Sequence, residues 1–145
     1  MRQAVGLDVG TKTIGVAVSD GIGLLAHPVA TVERRGVRKD VEAVLGMLGG
    51  REAGCFVVGL PYELDGREER SARLARQVGE AMAARTGLPV HYQDERFSSV
   101  QAERRLISVG MRRDKRKQVI DQEAAVVILQ SWLDEGGRDI LSGGQ

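Results

Sequence analysis

The sequence predicts a single α/β domain on a five-stranded mixed sheet, and three observations predict it. The chain opens with three short β-branched runs joined by glycine-bearing turns. Its middle then alternates helical and extended periodicity, and its last third is largely helical. Residues 3–9 and 13–18 are apolar and separated by the turn at 10–12. A third run, 24–32, follows a turn at 20–23 whose two glycines permit positive φ. Connections this short favour an antiparallel meander. Residues 37–48 place Val41, Val44, Leu45 and Leu48 at helical spacing, and 55–60 is a continuous apolar run expected of a strand buried on both faces. Residues 67–85 read as a long helix with Leu74, Val78, Ala81 and Met82 on one side, ended by Gly87 and Pro89. Residues 90–93 form a fifth strand. A helix capped by Ser98 or Ser99 runs to about residue 109, and 119–133 is the last helix. A meander followed by two αβ units gives a mixed sheet with helices on both faces. The domain is expected to span 1–135, with the glycine-rich tail 136–145 loose.

Composition narrows the function classes. A chain of 145 residues is long enough for one real core, and 42% hydrophobic with 28% charged residues is a globular balance, not a disordered one. No apolar run approaches the ~20 residues of a membrane span, and the opening MRQAVGLDVG reads as a strand, not a signal peptide. Cys55 has no second cysteine to pair with and lies beside Phe56, so a buried inert thiol is expected. These points favour the cytoplasm and no membrane partner. The net charge of +1 conceals an asymmetry. Residues 104–117 carry seven Lys/Arg against one Asp, a local +6, which leaves the rest of the chain at −5. A basic segment on a mildly acidic domain is a nucleic-acid signature, although a charge run alone also describes a solvated loop.

Three acids stand where acids are expensive. Strand alternation puts Val5, Leu7 and Val9 on one face and Ala4, Gly6, Asp8 and Gly10 on the other, so Asp8 lies in a file of minimal side chains. A carboxylate there needs a positive neighbour or the amides of the following turn. On the last helix, Asp121, Ala124, Ala125, Ile128 and Trp132 follow one stripe, so Asp121 begins the inward face. A favourable helix dipole explains an acid near a helix start but not its place on that stripe. Directly after the fifth strand comes Gln93-Asp94-Glu95-Arg96, at the strand end where open α/β sheets place ligands. One acid there is available to a metal while the other pairs with Arg96. Oxygen-only ligands suit Mg²⁺ or Mn²⁺, and two histidines with one cysteine argue against zinc. Two such ions would activate water and stabilise the leaving oxygen in phosphodiester cleavage. Arg104, Arg105, Arg112, Arg113, Lys115, Arg116 and Lys117 lie between Glu95 and Asp121, placed to grip phosphates. Lys12 is either a further phosphate contact or an exposed turn lysine.

The segments Gly6-Leu-Asp8-Val-Gly10-Thr-Lys12-Thr-Ile-Gly15-Val-Ala-Val-Ser-Asp20, Val57-Val-Gly59-Leu-Pro61, Asp94-Glu95-Arg96 and Asp121-Gln-Glu-Ala-Ala125-Val-Val-Ile-Leu-Gln130, in this order, resemble the YqgF/RuvX family over nearly the whole chain. The resemblance implies a ribonuclease H-like fold related to the RuvC resolvases. It also implies a catalytic, metal-holding carboxylate triad that maps onto Asp8, Glu95 and Asp121. Two activities are ascribed to members: resolution of Holliday junctions, and maturation of the 5′ end of the small-subunit ribosomal RNA precursor. Two departures stand out. Thr13 occupies a position that is often Arg in the family, and Leu60-Pro61-Tyr62-Glu63-Leu64-Asp65-Gly66 carries Glu63 where Asn is usual, which adds negative charge near bound phosphates.

The expectation is therefore a cytoplasmic metal-dependent nuclease, with 5′-end processing of the small-subunit rRNA precursor as the role the resemblance favours and cleavage of four-way DNA junctions as the alternative. A resolvase must cut two strands symmetrically, which favours a homodimer. Two rivals remain. The Asp8-x-Gly10-Thr11 signature also resembles the first phosphate motif of actin-like and sugar-kinase ATPases, but those need a second domain and a second such motif. A binding module that keeps the fold and cleaves nothing is the other.

Overall fold

The computed structural model describes residues 2–61, 69–94 and 113–143; for residues 69, 113–121 and 142–143 it describes the backbone only. Strands β1 (Gln3–Val9), β2 (Thr13–Ser19) and β3 (Ala26–Glu33) form the antiparallel meander, and β4 (Ala53–Leu60) and β5 (Val90–Asp94) add in parallel beside β1. The sheet order is β3-β2-β1-β4-β5, the five-stranded mixed sheet that the pattern predicts. Helices α1 (Val37–Leu48) and α2 (Glu69–Thr86) follow β3 and β4, and α3 (Arg113–Trp132) follows β5.

Alternation along the strands builds two cores. Val5, Leu7, Val9, Ile14, Val16 and Phe56 face α1 and α2, where Val41, Val44, Leu48, Val78 and Met82 meet them. The opposite face carries smaller residues, Ala4, Ala17, Cys55 and Val57, against Ala125, Ile128, Leu129 and Trp132 of α3. Small side chains let that helix come close. A Cβ added at Gly6 would lie 2.7 Å from the Leu129 Cβ and 3.0 Å from the Ala125 carbonyl oxygen. Further along, the Gln130 amide accepts from Ala26 N–H and donates to the Leu24 carbonyl, at the end of the meander where Ser19 closes on Ala4. α3 thus runs antiparallel to β1, with its N-terminal half directed at the strand's C-terminal end.

Several boundaries differ from expectation; β4, for one, begins at Ala53 instead of 55, and three differences bear on the packing. β3 begins at Ala26, because the Asp20 carboxylate accepts the Leu24 and Leu25 amides and holds the preceding residues in the turn. α3 begins at Arg113, not near 119; its first turns hold Lys, Arg and Gln, which propagate a helix without contributing to an apolar stripe. The tail also departs. Past a π turn at Leu133–Gly137, where Gly136 takes φ 116°, helix α4 (Arg138–Gly143) folds back. Leu141 packs on the α3-side core, and Arg138 Nε donates to the Gly23 carbonyl. The helix expected from 98 or 99 to 109, and residues 67–68 of the long helix, lie outside the described residues.

Candidate functional site

The backbone carries positions 8, 94 and 121 toward one end of the sheet. Asp8 is half-buried near the C-terminal end of β1, on the face that α3 covers. It pairs with Gly15 of β2, which pairs with Thr31 of β3. On its other side, one residue beyond the Leu7–Val58 pair, stands Gly59, which pairs with Gln93 of β5. A row Thr31–Gly15–Asp8–Gly59–Gln93 therefore crosses the sheet, and neither lateral neighbour of Asp8 has a side chain. The file of small residues read along β1 is matched by glycines on both flanks, which only the strand register reveals. The Thr31 hydroxyl, in the same row, is buried with no hydrogen-bond partner among the described residues.

Asp94 ends β5, exposed, opposite Leu60 of β4. Glu95 is the next residue and lies outside the described residues, as do Arg96, Arg104, Arg105, Arg112 and the departing residue Glu63. Asp121 stands in α3 one turn before Ala125. Since Ala125 lies over Gly6, and a helical turn advances ~5.4 Å while two strand residues advance ~6.8 Å, that turn is over the level of Asp8. The backbone thus carries positions 8, 94 and 121 to the same end of the sheet; the side chain of Asp121 is outside the description. Among the described residues, no group of three or more His, Cys, Asp or Glu is clustered to hold a metal ion. Arg113, Lys115, Arg116 and Lys117 fall in the first turns of α3, beyond Asp121 at that same end.

Lys12 is exposed in the turn that follows β1. That turn is anchored from the opposite face of the sheet. Arg34 N–H donates to the Lys12 carbonyl at 2.9 Å, its Nη1 donates to the Gly10 carbonyl at 3.0 Å, and its Nε donates to Asp40 Oδ2 at 3.0 Å. Gly10 N–H donates to the Thr13 carbonyl at 2.8 Å and closes the turn. Thr13 itself begins β2, half-buried.

Sequence reasoning passed over three charged residues that the structure buries wholly or largely. Arg34 and Asp40 are one buried pair, and the signal was present: Val37, Asp40, Val41, Val44 and Leu48 share the stripe spacing that singles out Asp121. The third is Glu123, an acid only 8% exposed, two residues after Asp121. Other chemistry-bearing groups lie elsewhere. Burial pushes the Cys55 thiol up to about 11, which keeps it protonated and unreactive. His27 and His91 stand on the two opposite edge strands, His91 stacked on the Trp132 ring at 5.1 Å. No described helix is long and apolar enough to cross a membrane.

Comparison with known proteins agrees with this architecture. A family profile described as RuvX, Holliday junction resolvase, matches residues 2–135. Two similar proteins carry the name "Putative pre-16S rRNA nuclease". The one from Myxococcus xanthus is 44% identical over 91% of this chain and 87% of its own length. The one from Clostridioides difficile is 45% identical over 91% and 94%. Among solved structures, Thermus thermophilus RuvC in complex with a Holliday junction substrate superposes with a TM-score of 0.55 at 16% identity, covering 95% of this chain and 98% of that one. That likeness is one of fold, the ribonuclease H-like sheet with its flanking helices. On the strength of the profile match and the relatives, the chain belongs to the RuvX family.

Proposed function

We propose that this protein is a cytoplasmic divalent-metal-dependent endonuclease that processes the 5′ end of the small-subunit ribosomal RNA precursor. Asp8, Glu95 and Asp121 are its metal-holding carboxylates. The observation that carries the reading is the setting of Asp8: a half-buried carboxylate between two glycines, on the face approached by the N-terminal half of α3. A half-buried carboxylate in such a place is stabilised when a cation shares it, and the glycines on its flanks add no side chain of their own there. An all-oxygen donor set fits Mg²⁺ or Mn²⁺, with a pair of ions the arrangement best suited to phosphodiester hydrolysis. Bound there, the metal supplies positive charge at the scissile phosphate and makes water a competent nucleophile near neutral pH.

The remaining work falls to the chain. Asp8, on the central strand β1, sets the reference position for the site. Glu95 and Asp121 complete the donor set from a strand end and a helix. Lys12 and the basic residues Arg96, Arg104, Arg105, Arg112, Arg113, Lys115, Arg116 and Lys117 hold the phosphate backbone, which gives affinity without sequence information. The names of the relatives support an RNA substrate.

A second reading, cleavage of four-way DNA junctions, is favoured by the description of the family profile. It requires a second copy of the chain so that both strands are cut symmetrically. One experiment separates the readings: wild type and Asp121→Asn, in Mn²⁺, against a labelled precursor-rRNA fragment and a labelled four-way junction. Preferential cleavage of the RNA by wild type, lost in the variant, is the expected result. Preferential cleavage of the junction replaces it with the resolvase reading. Binding by both proteins without cleavage refutes the enzyme and leaves a nucleic-acid-binding module.

A further inference from the structure

The Arg34–Asp40 pair is enclosed, with side chains 11% and 1% exposed, and it sits directly behind the turn that follows Asp8. A buried ion pair adds little net stability over an apolar pair of the same size, so its location asks for another reason. The contacts supply one. Asp40 uses both oxygens, one for Arg34 Nε at 3.0 Å and one for the Arg35 amide at 2.8 Å, so the guanidinium is held in one orientation. From there it reaches the Gly10 carbonyl, while the Arg34 amide takes the Lys12 carbonyl. Two of the three carbonyls in the turn 10–12 are thus tied to one residue. Because Asp40 belongs to α1, which covers the face opposite Asp8, the tether acts from beneath and leaves the α3 side clear.

We infer that Arg34, oriented by Asp40, is a positioning residue: it fixes the turn 10–12, and through it the Asp8 carboxylate two residues upstream and Lys12 within the turn. The inference rests on Asp8 being a metal-holding carboxylate. A planar guanidinium bonding in two directions fixes both position and angle, which a lysine ammonium on a flexible stem does not. The requirement is demanding, since a displacement of ~1 Å at a reacting centre costs on the order of 10²-fold in rate.

The test uses the full chain and three readouts: Mn²⁺ affinity by calorimetry, amide exchange of residues 10–12, and the split of kcat against KM on the cleaved substrate. Arg34→Met with Asp40→Leu removes both charges together, so no carboxylate is left buried alone. For the folded double variant we expect turn amides exchanging roughly tenfold faster or more, Mn²⁺ binding weakened on the order of tenfold, and kcat down on the order of 10²-fold with KM within about threefold. Arg34→Lys restores only part of the loss. If the double variant fails to fold, Arg34→Lys alone decides: reduced kcat at unchanged KM supports the role, and wild-type values overturn it. Unchanged Mn²⁺ affinity and kcat in the folded double variant also overturn it, even with faster exchange in the turn. Asp8→Asn runs alongside. Wild-type Mn²⁺ affinity in Asp8→Asn removes the carboxylate reading itself, whereas wild-type affinity in the Arg34 variants alone removes only the positioning role.

Discussion

Replacing Gly6 with alanine changes one methyl group and tests whether the approach of α3 to the sheet matters for function. The new Cβ would lie 2.7 Å from the Leu129 Cβ and 3.0 Å from the Ala125 carbonyl oxygen. Neither atom is the end of a flexible side chain, so no rotamer change relieves the contact. Carbon atoms settle at ~3.5–4.0 Å, so the helix must lift by roughly 1 Å. Overpacking of this kind costs about 1–3 kcal/mol, of which ~0.4–1 kcal/mol is recovered from the lower entropy of the unfolded alanine chain. A net loss of about 1–2 kcal/mol corresponds to a fall in Tm of roughly 2–8 °C for a domain of this size. The functional loss is expected to be larger in proportion, because lifting α3 moves the turn holding Asp121 away from Asp8, and ~1 Å there costs on the order of 10²-fold. Leu129→Ala is the comparison: it opens a cavity costing ~2–5 kcal/mol without pushing the helix outward. Thermal melts and steady-state cleavage in Mn²⁺ on both variants give the answer. Gly6→Ala is expected to be the more stable and the less active of the two. Wild-type turnover in Gly6→Ala, or a greater activity loss in Leu129→Ala, would refute the reasoning.

Two other perturbations have definite signs. The Cys55 thiol titrates from 9.0 in the unfolded chain to about 11 when buried, so between those values the folded state holds the proton more tightly and stability falls as pH rises. Wild type should lose on the order of 2–3 kcal/mol relative to Cys55→Ala between pH 9 and 11, read by denaturant melts, and the native thiol should resist alkylation at pH 8. A pH-independent difference between the two proteins contradicts this. In the basic segment, Lys115→Ala, Arg116→Ala and Lys117→Ala combined should weaken nucleic-acid binding and reduce the slope of log K against log salt by about 2–3, with kcat at saturation within about twofold. An unchanged slope means that these residues do not meet phosphates.

Much of the fold was legible because it rests on local periodicity. The strict alternation of β1 assigns Asp8 to the α3 face before any tertiary contact is known, and the stripe on α3 likewise assigns Ala125, Ile128 and Trp132 to the core side, while the side chain of Asp121 lies outside the description. Lateral relations were not legible. That Gly15 and Gly59 flank Asp8 depends on strand register, which no single segment encodes. The early start of α3 leaves no apolar pattern in the sequence, because Arg, Lys and Gln extend a helix without marking a face. Glycines at 136 and 137 read as a loose tail, yet here they make a kink that returns α4 to the core. Asp40 shows how an acid on a buried stripe divides into two meanings. Asp40 is bonded to Arg34 from the α1 side of the sheet, while Asp8 stands between Gly15 and Gly59 on the α3 side. The neighbours of each carboxylate are set by tertiary packing, which the sequence pattern does not carry.

The most direct test of the central claim is cleavage of a labelled precursor-rRNA fragment in Mn²⁺ by wild type and by Asp8→Asn, Glu95→Gln and Asp121→Asn, each checked for folding and for substrate affinity. Each isosteric change removes one charged donor oxygen set while keeping shape. All three variants are expected to fold and bind as wild type does but to lose on the order of 10³-fold in kcat, about 4 kcal/mol of transition-state stabilisation. A folded variant of any of the three that cleaves at the wild-type rate would contradict this and remove that residue from the metal-holding set.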